Sequence, residues 1–240
     1  MKTYQGTHGV HILEYQSKIN KLLCYLTNRY PRLIAVRVDL HYPKIVDNGD
    51  NICCFPNLEP GVISRMRESL RAKLEADRTR KVREDKRIYR CPLFIIWAKE
   101  YSESGKCHYH ICLLFNKDAY YHLGDYDQDD NLRGMITGAW YSALRLERDD
   151  HPGLVHFPEN CKYVLDTNST DFQQNYQALL TRLDYLTKLK AKCLVKETVT
   201  SAVAKSNCKS VMAFSVRRPY LYCFKKLLKC SFVTQFSIDY

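Results

Sequence analysis

Several common signatures are missing from the 240-residue sequence, and each absence removes a class of protein. The phosphate-binding loop Gly-x-x-x-x-Gly-Lys-Ser/Thr does not occur, so we expect neither a helicase nor an ATPase. No apolar run reaches about 18 residues, and the first residues lack the apolar centre of a signal peptide, so we expect no membrane partner. Internal repeats and low-complexity tracts are missing too. The length suits one large domain, or one domain with a small appendage.

Cysteine is plentiful, but its spacing excludes the common zinc-binding modules. Eleven cysteines occur, and none of them forms a Cys-x-x-Cys pair or a zinc-finger spacing. Because the first residues also lack the apolar centre of a signal peptide, we expect a reducing compartment. The sequence therefore predicts a reduced, cytoplasmic protein with free thiols.

The charge balance is strongly basic. Thirty-seven Lys and Arg residues stand against 26 Asp and Glu, which gives a net charge of +11 and a pI near 9.1. This balance is expected of proteins that bind polyanions, and 18 tyrosines add surfaces on which bases can stack. A basic protein without a nucleic-acid partner is the plain alternative.

Hydrophobic periodicity predicts a mixed fold. Apolar runs and alternation predict strands at 33–41, 92–100, 107–115, 153–157 and 211–216. Apolar residues at helical spacing predict helices at 10–29, 61–87, 133–148 and 172–195. We therefore predict an α/β fold of the α+β type, with a central antiparallel sheet of about five strands and helices packed on it. We divide the chain into an N-terminal helical segment 1–32, a core 33–195, and an extension 196–240 that packs on the core.

The stretch from Glu100 to Phe115 holds the most informative motif. A short polar loop joins two predicted strands, which favours an antiparallel hairpin. Alternation places His108 and His110 on one face with Tyr109 on the other, and the hairpin brings Glu100 level with His108 to within one residue of register. Two imidazoles and one carboxylate can bind a catalytic metal ion with open positions. A solvated strand end with no metal is the alternative, because a His-x-His pair often arises by chance.

A second polar group lies on the strand at 33–41. Arg37, Asp39 and His41 share one face of this strand by alternation. An ion pair or a strand end is the structural reading for Arg37. Asp39 and His41 are additional candidates for the site, and a structural reading is equally open for both. His156 is expected to pack against the sheet, with a place in the site as the minor reading.

The helix predicted at 172–195 carries a candidate nucleophile. Tyr185 and Lys188 lie three residues apart, so they share one surface of that helix. A phenol beside a cation suits nucleophilic attack. A tyrosine that fills the core is the alternative, and Tyr176 is the substitute nucleophile.

Taken together, these motifs resemble those of the HUH endonucleases, the superfamily of rolling-circle replication initiators and relaxases. His108-Tyr109-His110 matches the His-hydrophobe-His metal triplet of that family. Glu100 matches the upstream acid that supplies a third ligand. Tyr185-x-x-Lys188 matches the single-tyrosine nucleophile motif of the smaller initiators.

A narrower resemblance extends over most of the chain, from Leu33 to Lys192. The stretches VRVDLHYP, HYHICLLFN, GLVHFPENCKYVL and RLDYLTKLKAK are similar to the inovirus replication initiators and to prophage proteins of the YagK/YfjJ type. The resemblance implies a nuclease core at 33–195 that nicks and rejoins single-stranded or hairpin DNA through a 5′-phosphotyrosine. It also implies Mn²⁺ or Mg²⁺ as the cofactor, a phage, prophage or mobile element as the context, and host helicase and replication proteins as further partners.

Two other classes of function remain open. A DNA-binding regulator could keep the fold without cleavage, and it would bind DNA without metal and without need of Tyr185. A metal phosphoesterase could use water as the nucleophile, and it would form no covalent adduct.

Overall fold

The computed structural model describes residues 2–6, 8–44, 54–102, 107–125 and 128–189. By its internal contacts the chain divides into Met1–Leu194 and Val195–Tyr240, and all the described residues lie in the first unit. The predicted strand 211–216 and the predicted packing of 196–240 on the core lie outside the described residues.

The regular elements of the described part follow one another along the chain. They are β1 (Thr3–Gly6), β2 (Gly9–Ile12), α1 (Leu13–Arg29), β3 (Arg32–His41), α2 (Val62–Arg83), β4 (Phe94–Tyr101), β5 (Cys107–Asn116), α3 (Leu132–Leu144), β6 (Val155–His156), β7 (Lys162–Asp166), α4 (Phe172–Asp184) and the 3₁₀ turn Tyr185–Thr187. None of these helices is long and apolar enough to cross a membrane.

A five-stranded antiparallel sheet forms the centre of the molecule, as the sequence predicts. Its order is β4-β5-β3, and the free edge of β3 is shared by β6 and β7, which pair with different parts of that strand. The two inner strands β3 and β5 are almost entirely buried. This burial explains why both strands are nearly continuous apolar runs, since each of their faces is covered.

The two faces of the sheet bury different residues. Helices α2 and α3 pack together on one face, which we call the apolar face, over the side chains of Ile34, Val36, Val38, Leu40, Ile111, Leu113 and Phe115. The other face, which we call the polar face, carries Arg37, Asp39 and His41 by alternation. Helix α4 packs against β7 and α1 on this side. Alternation along the strands thus separates the main core from the candidate site.

The first helix begins later than its periodicity indicates. The prediction began it at Val10, but residues 9–12 form β2, which pairs with β1 in an antiparallel hairpin. Gly9 at φ +104° allows the chain to turn there. The backbone of Val10 also accepts a hydrogen bond from Leu189 N at 2.8 Å, a contact that a helix would not offer. The N-terminal segment is therefore a hairpin followed by a helix.

The last described helix ends earlier than predicted. The prediction extended it to Val195, but α4 ends at Asp184 and continues as one 3₁₀ turn. The backbone of Lys188 then bridges His11 in antiparallel fashion. The helix ends because the chain leaves it to pair with β2. Residues from 190 onward lie outside the described part.

One strand of the central sheet was not anticipated. Lys162–Asp166 forms β7 and pairs with β3 from Arg32 to Val36. Most of its side chains are only partly buried, so the segment lacks a strong apolar pattern. Its place in the sheet is set by pairing with β3.

Candidate metal centre

Strand register brings the polar residues together at one end of the sheet. Glu100 pairs with His108 across β4 and β5, as the sequence predicts. On the other side of β5, Asp39 pairs with His110 and His41 with His108. Because cross-strand partners project from the same face, all five side chains lie on the polar face.

Glu100, His108 and His110 form a group that could hold a metal ion, which we call the metal triad. Glu100 Oε2 lies 2.8 Å from His110 Nε2 and 3.8 Å from His108 Nε2, and the two Nε2 atoms are 3.2 Å apart. Ligands about 2.1 Å from one ion are separated by roughly 3.0–3.4 Å in octahedral or tetrahedral geometry. The 2.8 and 3.2 Å separations are close to this range and the 3.8 Å separation is longer, so the three groups could hold a single cation. The triad is the one group of three such residues found within the described ranges.

The triad lies at the edge of solvent. The side chains of His108, Glu100 and His110 are 19%, 13% and 10% exposed. An ion there would keep positions open toward the solvent side. A closed structural zinc site, in contrast, surrounds its metal with four protein ligands.

Asp39 fixes the orientation of His110. Asp39 Oδ1 lies 2.6 Å from His110 Nδ1, and the same carboxylate forms an ion pair with Arg37. Burial by itself would raise the pKa of Asp39, but the His110 hydrogen bond and the Arg37 charge outweigh it and lower that pKa to about 2. The carboxylate therefore accepts the Nδ1 proton, and in the neutral imidazole this leaves the Nε2 lone pair on the side of Glu100 and His108.

Arg37 forms an ion pair with Asp39, which agrees with the structural reading of this residue. It is 4% exposed and donates to the carbonyl oxygens of Val38 at 2.6 Å and Ile111 at 3.3 Å as well as to Asp39. The sheet carbonyl oxygens thus fix the position of Arg37, and the Arg37 ion pair fixes the carboxylate of Asp39.

His41 and His156 lie beside the triad without joining it. The His41 ring stacks on that of His108 with the centroids 5.7 Å apart, and burial, followed by the charge of His108, lowers the pKa of His41. His156 was expected to pack against the sheet, but its side chain is 61% exposed, with Nδ1 3.8 Å from Asp39 Oδ2. His156 is the last residue of the two-residue strand β6, and its side chain reaches solvent.

Tyr185 lies over the triad. Its hydroxyl donates to Glu100 Oε2 at 3.4 Å, and its ring meets the His110 ring edge-on with the centroids 5.1 Å apart. Burial raises the pKa of Tyr185, and the nearby Glu100 charge raises it further. The phenol therefore stays protonated unless that negative charge is compensated.

Lys188 is next to Tyr185, although the two residues do not share a helix. Its Nζ lies 4.2 Å from the centre of the Tyr185 ring. Residues three apart are close in a 3₁₀ turn as well as in an α-helix, so Tyr185 and Lys188 are neighbours although the backbone there is not α-helical.

Tyr176, the substitute nucleophile, packs against Phe172. It precedes Tyr185 by nine residues, which is about 13 Å along a helix axis.

Comparison with known proteins adds a family. The profile of the YagK/YfjJ C-terminal domain matches residues 1–200. The chain belongs to this family. It is 98% identical over 192 residues to the uncharacterized protein YagK of Escherichia coli strain K12, which covers 80% of this chain and 92% of YagK. It is 42% identical over 195 residues to the uncharacterized protein YfjJ of the same strain, which covers 79% of this chain and 93% of YfjJ. No solved structure matches the chain.

In this member of the YagK/YfjJ family, the N-terminal hairpin also contributes to the site. The His8 ring meets the Tyr185 ring edge-on at 5.4 Å, and His11 and Tyr4 contact Asp184, the residue before Tyr185. Sequence reasoning missed these residues. No local pattern links residues that lie more than 170 positions apart.

Proposed function

We propose that the protein is a metal-dependent DNA endonuclease of the HUH type, which nicks and rejoins single-stranded DNA at a specific site through a covalent 5′-phosphotyrosine. The context would be rolling-circle replication of a phage, prophage or mobile element. The observation that carries the proposal is the Tyr185 hydroxyl, which lies 3.4 Å from a carboxylate oxygen of the metal triad. A nucleophile beside a metal site is the arrangement that this chemistry requires.

Glu100, His108 and His110 would hold the cation. Two imidazoles and one carboxylate suit Mn²⁺ and accept Mg²⁺. A divalent cation bound there supplies charge neutralisation for a phosphate and compensates the Glu100 charge that raises the pKa of Tyr185.

The reaction is a direct displacement at phosphorus. Tyr185 Oη forms a bond to the phosphorus atom and loses its proton, while the bond from phosphorus to the 3′-oxygen breaks and that oxygen gains a proton. The products are a 5′-phosphotyrosine and a free 3′-hydroxyl. Attack by a 3′-hydroxyl on the phosphotyrosine reverses the exchange, so strands are rejoined without ATP.

The neighbouring residues would support the displacement. Lys188 Nζ, 4.2 Å from the centre of the Tyr185 ring, would stabilise the phenolate and the negative charge that develops on the phosphate. Asp39 would act through His110 as a positioning residue, because it holds the imidazole in the tautomer that can bind a cation.

Charge and exposure support a single-stranded DNA substrate. The net charge of +11 favours binding to a polyanion, and a tyrosine at the mouth of a site reaches the backbone only where bases are unpaired or in an extruded hairpin. Host helicase and replication proteins are the proposed further partners.

The experiment is a search for a covalent adduct. Purified protein is incubated with Mn²⁺ and labelled single-stranded oligonucleotides from the DNA neighbouring its gene, and products are separated on a denaturing gel. We expect a protein-linked DNA fragment that is lost on addition of EDTA and lost in Tyr185→Phe and His108→Ala. Tyr176→Phe, on α4 before the 3₁₀ turn that carries Tyr185, is the matched control and should form the adduct. An adduct that persists in Tyr185→Phe would assign the nucleophile to another residue.

The raised pKa of Tyr185 supports one alternative, a DNA-binding regulator that does not cleave. A phenol that stays protonated beside Glu100 is a poor nucleophile. The regulator would bind the same oligonucleotides equally with or without Mn²⁺, and Tyr185→Phe would not change that binding. A metal phosphoesterase would instead hydrolyse nucleotide esters without any protein-linked product.

A further inference from the structure

The N-terminal hairpin, β1 and β2 together, contacts the segment that carries Tyr185. Leu189 N donates to Val10 O at 2.8 Å, and His11 and Lys188 form an antiparallel bridge. The backbone after the 3₁₀ turn is therefore held as a short extra strand against β2. Because a single 3₁₀ turn has weaker hydrogen-bond geometry than an α-helix, its orientation depends on such external contacts.

His11 makes the central side-chain contact. It is fully buried, and its Nδ1 lies 2.9 Å from Thr187 Oγ1 and 3.1 Å from the Asp184 carbonyl oxygen. The Thr187 hydroxyl itself donates to that carbonyl at 2.8 Å. A carbonyl oxygen can only accept, so the Nδ1 of His11 carries the proton and donates to both oxygens. One imidazole thus ties together the two residues that flank Tyr185 and Leu186.

Two further hairpin residues complete the contact. The Tyr4 hydroxyl donates to the Asp184 carboxylate, and its ring stacks on His11 with the centroids 5.2 Å apart. Burial, followed by the hydrogen bond to Asp184, raises the pKa of Tyr4 to about 12, so this donor keeps its proton at neutral pH. At the tip of the hairpin, His8 touches the Tyr185 ring itself.

The packing of His11 leaves no room for adjustment. A Cβ added at Gly6 on the paired strand would lie 2.7 Å from His11 Cδ2 and 2.9 Å from Nε2. Since His11 is fully buried, its ring cannot swing away to relieve such a contact. The hairpin and the 3₁₀ turn therefore fit together in one arrangement.

We propose that the N-terminal hairpin is a positioning element for the nucleophile, in which His11 and Thr187 fix the 3₁₀ turn so that the Tyr185 hydroxyl is held over the metal triad. The inference rests on the proposed function. A displacement of about 1 Å from attack geometry can cost on the order of 100-fold in rate. Residues near the start of the chain would then set the rate of a reaction at residue 185.

Thr187 offers a nearly isosteric test. Thr187→Val keeps the shape of the side chain but removes the hydroxyl that accepts from His11 and donates to Asp184, whereas Thr187→Ser keeps that hydroxyl. We expect Thr187→Val to lower the cleavage rate at saturating oligonucleotide by about 10- to 100-fold, with the affinities for oligonucleotide and Mn²⁺ unchanged. Thr187→Ser should restore most of the rate. The matched control is Thr181→Val, an exposed threonine on α4 whose Oγ1 donates to Gln177 O, and it should leave the rate unchanged.

A second readout does not depend on cleavage. The protein is labelled with 3-fluorotyrosine, and the ¹⁹F resonance of Tyr185 is assigned by its absence in Tyr185→Phe. Mn²⁺ bound at the triad should broaden this resonance strongly, because paramagnetic relaxation falls steeply with distance. In Thr187→Val and in Gly6→Ala we expect less broadening at equal Mn²⁺ occupancy, and in Thr187→Ser we expect the wild-type result.

The outcomes separate the two proposals. If Mn²⁺ broadens the Tyr185 resonance of the wild type but no cleavage is found, the proposed function is overturned. A loss of that broadening in Thr187→Val would still support the positioning role of the hairpin. Wild-type rate and broadening in Thr187→Val would overturn the positioning role. The same would follow if Thr187→Ser were as impaired as Thr187→Val, since the hydroxyl would then not be the cause.

Discussion

The two faces of the central sheet bury charge in opposite ways. On the apolar face, the carboxylate of Asp77 is 6% exposed and is bound by Tyr120 Oη at 2.6 Å, by Arg80 at 2.6 Å and by Lys81 at 2.7 Å. These partners satisfy both oxygens, so the network is closed and has a structural role.

On the polar face, the buried network is open at one end. It runs from Arg37 through Asp39 to His110 and stops at the Nε2 atom, beside Glu100 and His108. At this end, within the described part of the chain, Glu100 Oε2 accepts only a long hydrogen bond of 3.4 Å from the Tyr185 hydroxyl, and the carboxylate and the two imidazoles together could hold a cation. The comparison teaches that burial of charge does not by itself identify a site. What distinguishes the candidate site is the open end of its network, where three groups that could bind a metal ion converge.

The largest effect is expected from a substitution of His110, the residue at the open end of the network on the polar face. His110→Ala should lower Mn²⁺ affinity by more than about 100-fold, since loss of a ligand exceeds the loss of an outer partner. Covalent adduct should disappear with it, while the thermal unfolding temperature changes little. Isothermal titration with Mn²⁺ and circular dichroism melting measure the two effects. His122→Ala, in an exposed loop, is the control and should bind Mn²⁺ normally.

A substitution on the same strand but on the apolar face should lower stability and leave Mn²⁺ affinity unchanged. Leu113 is fully buried in the core beneath α2 and α3, so Leu113→Ala should cost about 2–5 kcal/mol of unfolding free energy. Urea denaturation measures the loss. The folded fraction should bind Mn²⁺ as the wild type does, and a matching loss of Mn²⁺ affinity would show that the two faces are coupled.

Asp39→Asn tests whether the network on the polar face orients its ligand. The amide keeps the shape but accepts the His110 proton less well and leaves Arg37 without a counter-charge. We expect Mn²⁺ affinity to fall by about 10- to 100-fold. An unchanged affinity in the same titration would remove Asp39 from the site.

The smallest effect is expected at the closed network, and it depends on pH. Burial raises the pKa of Asp77, but the hydrogen bonds from Lys81, Tyr120 and Arg80 outweigh it, so the net pKa is lowered. A carboxyl whose pKa is lower in the folded state contributes stability above its unfolded-state pKa of about 4 and loses it as the pH falls through the folded-state value. Asp77→Asn should therefore cost about 1–2 kcal/mol at pH 7.

The stability difference between the wild type and Asp77→Asn should shrink as the pH is lowered below about 4. Urea unfolding at pH 7 and at pH 3 measures it. A constant difference would mean that the Asp77 charge is not what the network stabilises. Mn²⁺ affinity at pH 7 should not change, which keeps the closed network distinct from the open one.

Much of the candidate site followed from local patterns. The alternation of His108 and His110 and the short loop before them fix the hairpin and its register with Glu100, because both signals lie within 16 residues. The pairing of Tyr185 with Lys188 also followed, since a spacing of three places residues together in either kind of helix.

Other features had no local signal. The helix at 172–195 was predicted too long because leucines continue at helical spacing beyond Asp184, where pairing with β2 takes over. The hairpin before α1 was missed for the related reason that Val10 and Ile12 also fit the helical period that follows. Strand β7 was missed because its half-buried side chains give little pattern.

By itself, the sequence determined which side chains share a strand face and which strands form a hairpin, because both depend on the period of two and on a short loop. It also determined that a phenol and a cation are neighbours. Only the tertiary structure decided that the phenol lies over the metal triad, that Asp39 contacts His110, and that β2 contacts the turn around Tyr185. Those contacts join segments separated by 71 to 176 positions, and burial in the folded chain is what brings them together.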